Sequence, residues 1–216
     1  MLETEACWIF DVITQLPLDL GDLVINIGSS IEDANADSRA PSAWLIHNLK
    51  RHGLKTLNVD LKEGHGVDIV GDICSPVLQE RLTSLKPRLV ICANVLEHVV
   101  DVYAMSVAIQ ALTSTDCFLI VTVPRDYPYH PDPIDNGFRP SVEDLKNLFN
   151  AYHLVDSNEI NEGGYLWKLA KNPMLFVRDC YLLTLQLRDS QKRRVLVENY
   201  RFLTKRFRTT CCAFRK

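Results

Sequence analysis

Two histidines and one polar loop carry most of the side chains in this sequence that could do chemistry near neutral pH. Imidazole titrates in that range, so His98 in "ANVLEHV" and His130 in "RDYPYHPDPIDNGFRPS" could each accept a proton from a hydroxyl. Either could equally be a structural or exposed histidine. The loop, residues 125–141, also gathers Tyr127, Tyr129, Asp132, Asp135 and Arg139 into one stretch. Long irregular loops in compact domains tend to be functional, and these side chains could hydrogen-bond a polyhydroxylated or anionic molecule. A proline-stiffened turn that caps a sheet is the structural alternative. The loop's His and carboxylate groups could hold a divalent ion, but their spacing matches no recognised ligand set, so no metal is expected.

A second stretch, "VINIGSSIED" at 24–33, runs from apolar residues straight into Gly28, Ser29 and Ser30. A dinucleotide fingerprint needs three glycines, for a tight turn, close approach to a pyrophosphate and helix packing. Only Gly28 is present, so a pyrophosphate is not the expected ligand. A plain strand-to-loop turn is the structural alternative.

The elements that must position these groups follow from hydropathy. Apolar, β-rich runs alternate with helical patterns, which predicts a mostly parallel sheet built from βαβ units. The strands expected are "LVINIG" from Leu23, "KTLNVD" from Lys55, "VDIVGD" from Val67, "RLVICANV" from Arg88 and "CFLIVTVP" from Cys117, followed by "HLVDSNEI" and "RTTCCAFRK". Helices are expected at "PSAWLIHNLKRHG", with Pro41 in the first turn and Gly53 at the end, and at "SPVLQERLTSL". In "SVEDLKNLFNAY" Ser141 and Asp144 form a capping-box pattern. Residues 163–205 read as largely helical, with Phe176, Cys180, Leu183 and Leu187 on one apolar stripe.

A chain of 216 residues with 47% hydrophobic content can bury one substantial core. The net charge of -3 selects no partner, but its distribution is uneven: residues 174–216 hold 11 Lys/Arg and 3 Asp/Glu. That basic stretch carries no recognisable nucleic-acid-binding motif and fits helical packing or a dimer contact better, so nucleic acid is disfavoured as a partner. Seven cysteines without a CxxC pair argue for free thiols and a reducing cytoplasm. The N-terminus lacks a basic leader, and no apolar run approaches the roughly 20 residues that span a bilayer.

Taken together, "VINIGSS", "LNVD", "GVDIVGDI", "ANVLEHV" and the proline-rich loop, in this order, resemble the class I S-adenosylmethionine-dependent methyltransferases, in the small-molecule branch with a "VLEH" signature. The resemblance implies an α/β, Rossmann-like seven-stranded sheet, mostly parallel with an antiparallel last strand, helices on both faces and a helical insertion before the last strand. One domain would then span 1–216: an N-terminal helix within 1–20, a cofactor-binding core at 21–162, the insertion at 163–205 and a terminal strand at 206–216. S-adenosylmethionine would lie over the strand ends.

Within that resemblance, Gly28 would admit the methionine part of the cofactor, with Ser29 and Ser30 donating to its carboxylate; the usual second glycine is replaced by Ser30. Asp60 would accept both ribose hydroxyls, and Asp72 and Ile73 would meet the adenine, although Asp72 also reads as a helix-capping aspartate. Asn94, Val95 and Leu96 would line the methionine side through their backbone, with core packing as the alternative. His98, then His130, would serve as base for a hydroxyl acceptor, and Tyr127, Tyr129, Asp132, Asp135 and Arg139 would bind that acceptor. The fourth strand is followed by "ANVLEH" and not by an Asn/Asp-Pro-Pro-aromatic run, which counts against methylation of bases or amides. The expected activity is methyl transfer to a small polar molecule, a sugar or secondary metabolite, more at oxygen than at nitrogen. An amine N-methyltransferase and a non-catalytic binding module are the alternatives.

Overall fold

A computed structural model of the chain describes residues 1–28, 40–171, 174, 177 and 190–216. The strands are β1 (Leu23–Ile27), β2 (Lys55–Asp60), β3 (Ile69–Val70), β4 (Leu89–Ala93), β5 (Phe118–Asp126), β6 (His153–Glu162) and β7 (Phe207–Arg215). They form one sheet in the order β3-β2-β1-β4-β5-β7-β6. Neighbours from β3 through to β5 pair in parallel, while β7 runs antiparallel to both β5 and β6. This is the Rossmann-like sheet expected, with its single reversed strand at the chain's end. The strand order turns back on itself between β1 and β4, and the carboxyl ends of these two strands open the crevice where such sheets take ligands.

Apolar content on both faces of the central strands drives burial from two sides. Along β5, Leu119, Val121 and Val123 pack with Ile109 of α4 (Val102–Leu112) and Leu145 of α5 (Val142–Leu148). Phe118 and Ile120 point the other way, among Ile9 of α1 (Glu3–Gln15) and Leu45 and Leu49 of α2 (Pro41–Arg51). The period of two in one strand thus feeds two separate cores. Helix α3 (Pro76–Ser84) lies with α4 on the first face and buries Leu78 and Leu82 there.

Local chemistry sets the ends of these elements. Pro41 and Pro76 occupy first-turn positions, where the missing N–H costs nothing. At α5 the Ser141 hydroxyl accepts from the Asp144 N–H at 3.2 Å, and Asp144 Oδ2 accepts from the Ser141 N–H at 2.8 Å. Two strands differ from the hydropathy reading. Only Ile69–Val70 of "VDIVGD" pairs as strand: at its start the Asp68 carboxylate takes the Asn58 N–H at 2.7 Å, a donor that a ladder carbonyl would otherwise accept from. Strand β5 runs on to Asp126 through a register shift at Pro124, which cannot donate to the ladder.

Between β6 and β7 stand α6 (Tyr165–Lys171) and α7 (Ser190–Arg201), joined by ring contact between Tyr165 and Tyr200 at 5.7 Å. The stripe of Phe176, Cys180, Leu183 and Leu187, and the serines Ser29 and Ser30, lie outside the described residues. Among the described residues no helix is long and apolar enough to cross a membrane, and Cys7, Cys74, Cys92, Cys117, Cys211 and Cys212 are free thiols.

Candidate functional site

Two cavities open at the carboxyl ends of the strands. The first, about 510 Å³, runs from Gly28 across Asp60, Asp72 and Ile73 to Val95 and His98. Gly28 sits at φ +72°, and a Cβ there would come within 2.3 Å of Val95 Cγ2, so both the backbone angle and the available space demand glycine. Asp60 ends β2, and its Oδ1 accepts from the Lys62 N–H at 2.9 Å. Asp72 Oδ1 accepts from the Cys74 N–H at 2.8 Å, which closes a local turn, while the residue that caps α3 is Ser75. Asp72 thus lines the cavity and shapes its rim at once. Asn94 occupies the left-handed region at φ 55° and is fixed there through its backbone N–H to Thr122 (2.9 Å) and its side-chain amide to Glu5 (2.7 Å). Leu96 lines neither cavity: the short 3-10 turn Leu96–His98 swings its side chain into the core.

The second cavity, about 640 Å³, lies on the α1 side and shares Gly28, Asn94, His98 and Asp132 with the first. Tyr127, His130, Phe207 and Thr209 line it together with the polar side chains of Glu5, Asn26 and Asn58. Of the loop residues expected to bind an acceptor, Tyr127 and Asp132 therefore face the cavity, whereas Tyr129, Asp135 and Arg139 do not. Tyr129 stacks against the Arg194 guanidinium at 4.2 Å. The Asp135 side chain is buried, although the residue as a whole is not, and its carboxylate accepts from Arg139 Nη2 (2.7 Å), the His130 N–H (3.0 Å) and the Gly137 N–H (2.9 Å). These three bonds commit it to holding the loop.

Burial alone would raise the Asp135 carboxyl, but the Arg139 guanidinium and the two backbone N–H donors outweigh it and hold the group at about 2. The folded value lies below the ordinary one. Its stabilisation is therefore present above the ordinary carboxylate range and is lost as pH falls through about 2. Asp135→Asn is expected to cost about 2 kcal/mol at pH 7, and the gap to the natural protein should close between about pH 4 and pH 2. Urea melts of both proteins across that range check it, and a gap that stays constant throughout would remove Asp135 from this role.

The histidines meet. The His98 and His130 rings lie edge to face at 5.1 Å, and Glu97 Oε1 is 3.8 Å from His98 Nε2. His98 Nδ1 donates to the Ile134 carbonyl at 2.7 Å and His130 Nδ1 to the Pro128 carbonyl at 2.9 Å, in the tautomers those carbonyls require. In the neutral form of each ring the lone pair therefore lies on Nε2. Burial, ahead of the other influences, lowers His130 below the ordinary imidazole value and keeps it neutral. Burial likewise pushes Glu97 up to about 8, with the Arg139 guanidinium opposing it only in part.

Three residues central to this geometry, Glu5, Glu97 and Asn58, were not singled out by the sequence. Glu5 is fully buried and accepts from Asn94, from the Thr122 hydroxyl (2.6 Å) and from the Leu2 N–H (3.0 Å). Its spacing to Ile9 and Val12, four and seven positions on, places it on the helix's buried face, a signal present in the sequence. Glu97 carries a similar signal, as a carboxylate inside an apolar run.

No protein-family model matches the sequence, and a search of curated proteins finds no match. Among solved structures the fold is similar to that of a S-adenosylmethionine-dependent methyltransferase from Archaeoglobus fulgidus, at TM-score 0.56 and 13% identity, covering 99% of this chain and 94% of the other. It is similar too to phosphoethanolamine N-methyltransferase 2 of Haemonchus contortus in complex with phosphomonomethylethanolamine and S-adenosylhomocysteine (TM-score 0.55, 12% identity). That match covers 99% of this chain and 52% of the nematode enzyme, so the chain spans about half of its length. The cyclase SpnF has the same fold, at TM-score 0.58 and 12% identity over 97% of this chain and 80% of its own. At these identities the likeness defines the fold: a Rossmann-like sheet of the kind methyltransferases use.

Proposed function

We propose that the chain is a S-adenosylmethionine-dependent methyltransferase acting on a hydroxyl of a small polar molecule. The observation that carries this reading is the junction of the two cavities at Gly28, Asn94 and His98, which sets a cofactor-sized cleft over the strand ends against a polar, aromatic-walled space. The residues present fit the cofactor. Gly28 leaves its backbone open where the methionine part would pass, Asp60 stands where ribose hydroxyls need an acceptor, and Asp72 and Ile73 offer a carboxylate and an apolar face to an adenine.

When bound, S-adenosylmethionine supplies an already activated methyl group, so the protein's task is to position the acceptor and handle its proton. Tyr127 and Asp132 orient the acceptor, and the lone pair on Nε2 of His98 receives the hydroxyl proton. His130, neutral and in ring contact with His98, is the second candidate. Unpaired thiols support a reducing compartment such as the cytoplasm.

Asp60→Ala is expected to weaken S-adenosylmethionine binding by roughly 1.5 to 3 kcal/mol, the range for hydrogen bonds to a charged group. Isothermal calorimetry reads this directly, and an unchanged affinity removes Asp60 from the site. A second reading, amine N-methylation, is favoured by N-methyltransferases among the similar folds, such as the nematode enzyme and coclaurine N-methyltransferase. Screening hydroxyl and amine acceptors with methyl-labelled cofactor separates the two. A protein that binds neither S-adenosylmethionine nor S-adenosylhomocysteine would be a binding module on the same fold, as fold alone does not set function.

A further inference from the structure

We propose that Glu97, His98 and His130 form a binding site for a divalent first-row transition ion whose open coordination positions face the second cavity. Two imidazoles and one carboxylate are the donor set such ions take, and harder ions such as Mg²⁺ and Ca²⁺ prefer oxygen alone. The three candidate ligand atoms lie within 4.8 Å of one another, and the His98 Nε2 to Glu97 Oε1 separation is 3.8 Å. Metal–ligand bonds of about 2.0–2.2 Å space neighbouring ligands at roughly 3.0–3.5 Å, so a contraction of about 1 Å by side-chain rotation completes the set.

Three independent features prepare this site. Both oxygens of Glu97 are buried, the residue is 0% exposed, and neither oxygen has a hydrogen-bond partner among the described residues. A buried carboxyl group left in that condition is costly, and a cation that takes the place of its proton removes the cost. Both histidines hold their Nδ1 protons against backbone carbonyls, with Asp135 Oδ2 a further 3.3 Å from His130 Nδ1, and this outer arrangement frees Nε2 for an ion. The loop that brings His130 is pinned to the turn that brings Glu97 and His98. Asn136 donates from its backbone to Glu97 O (2.9 Å) and from its amide to Leu96 O and Val99 O (2.8 Å each).

The direction of the open positions follows from exposure. Glu97 reaches the cluster from within the protein, whereas His98 lines both cavities and His130 lines the second. An ion held by all three is closed on the Glu97 side and open to the cavity, where an oxygen ligand, water or a hydroxyl or carboxylate of the acceptor, completes its shell. That this oxygen belongs to the acceptor rests on the methyltransferase reading above. The ion site itself does not, and holding an ion and accepting a proton are alternative uses of the one lone pair on His98 Nε2.

The test uses the full chain after dialysis against a chelator, with Co²⁺ as a spectroscopic probe and Zn²⁺ in calorimetry. One equivalent of each should bind, Co²⁺ giving visible d–d absorption of a mixed nitrogen and oxygen site. Glu97→Gln and His130→Ala should each weaken binding by at least 10-fold to 100-fold while circular dichroism and melting show both variants folded. Absence of Co²⁺ and Zn²⁺ binding by the natural protein overturns the proposal, and so does undiminished binding by both folded variants. S-adenosylmethionine affinity is measured on the same samples: its absence, with Co²⁺ still bound at these residues, counts against the methyltransferase reading and supports the ion site as independent of it.

Discussion

Replacing His98 by alanine is expected to lower turnover by about 100-fold to 10,000-fold, the usual contribution of a positioned general base, while S-adenosylmethionine affinity stays nearly constant. The reason is geometric. His98 follows β4 at the sheet's carboxyl edge and borders both cavities, with Nδ1 tied to Ile134 and Nε2 left with its lone pair. His130→Ala should show a smaller loss, because His130 borders only the second cavity. The acidic limb of the pH–rate profile should disappear with whichever histidine receives the proton. Chelation distinguishes direct proton transfer from action through a bound ion: the first survives removal of metal and the second does not. Steady-state rates of the two single variants settle the matter, and if neither falls by more than a few fold, catalysis here rests on positioning alone.

Gly28→Val is expected to be the most damaging single change at the cofactor cleft. A branched side chain at φ +72° is strained whatever surrounds it, and the new Cβ would overlap Val95 Cγ2 at 2.3 Å. Strain and overlap together should cost about 3 kcal/mol or more. For a chain of this size that corresponds to a fall in Tm of roughly 6–12 °C. Cofactor affinity should fall in the same variant, since the added atoms stand in the cleft. Gly28→Ala combined with Val95→Ala isolates the two contributions: the pair should recover the part due to overlap and retain the part due to backbone angle. A folded Gly28→Val protein with normal melting and normal S-adenosylmethionine affinity would sink the assignment of this strand end.

The candidate site was legible in the sequence only where a residue's position along its own strand fixes its place. Gly28, Asp60, Asp72 and Ile73 all end or follow apolar runs, and all four line the same cavity. The loop was less legible. A proline-rich stretch has no period of 2 or 3.6, so nothing in its spacing says which side chains face inward. Asp135 and Arg139 looked like acceptor ligands by type, yet they hold each other and the backbone. The ligand set at Glu97, His98 and His130 escaped for a related reason: its carboxylate comes from the turn after β4 while its second imidazole comes from the loop, and no spacing rule joins them.

The sheet, and the edge it offers to ligands, follow from the order of apolar runs along the chain. Alternation of apolar strands with helical patterns forces right-handed crossovers and a parallel sheet, and that topology places every strand's carboxyl end on one edge, where the polar residues also fall. Which residues from distant segments meet on that edge depends on how the elements pack. Glu5 reaches Asn94 across 89 positions and Thr122 across 117, and Asn58 meets Asn26 across 32. Hydrophobic periodicity reports which face of an element turns inward, but not which partner it will find there. Helix α1 packs Ala6, Ile9, Val12 and Ile13 into the second core, and its buried carboxylate bonds Asn94 and Thr122 beside the cavity, a meeting that no local pattern in either segment reports.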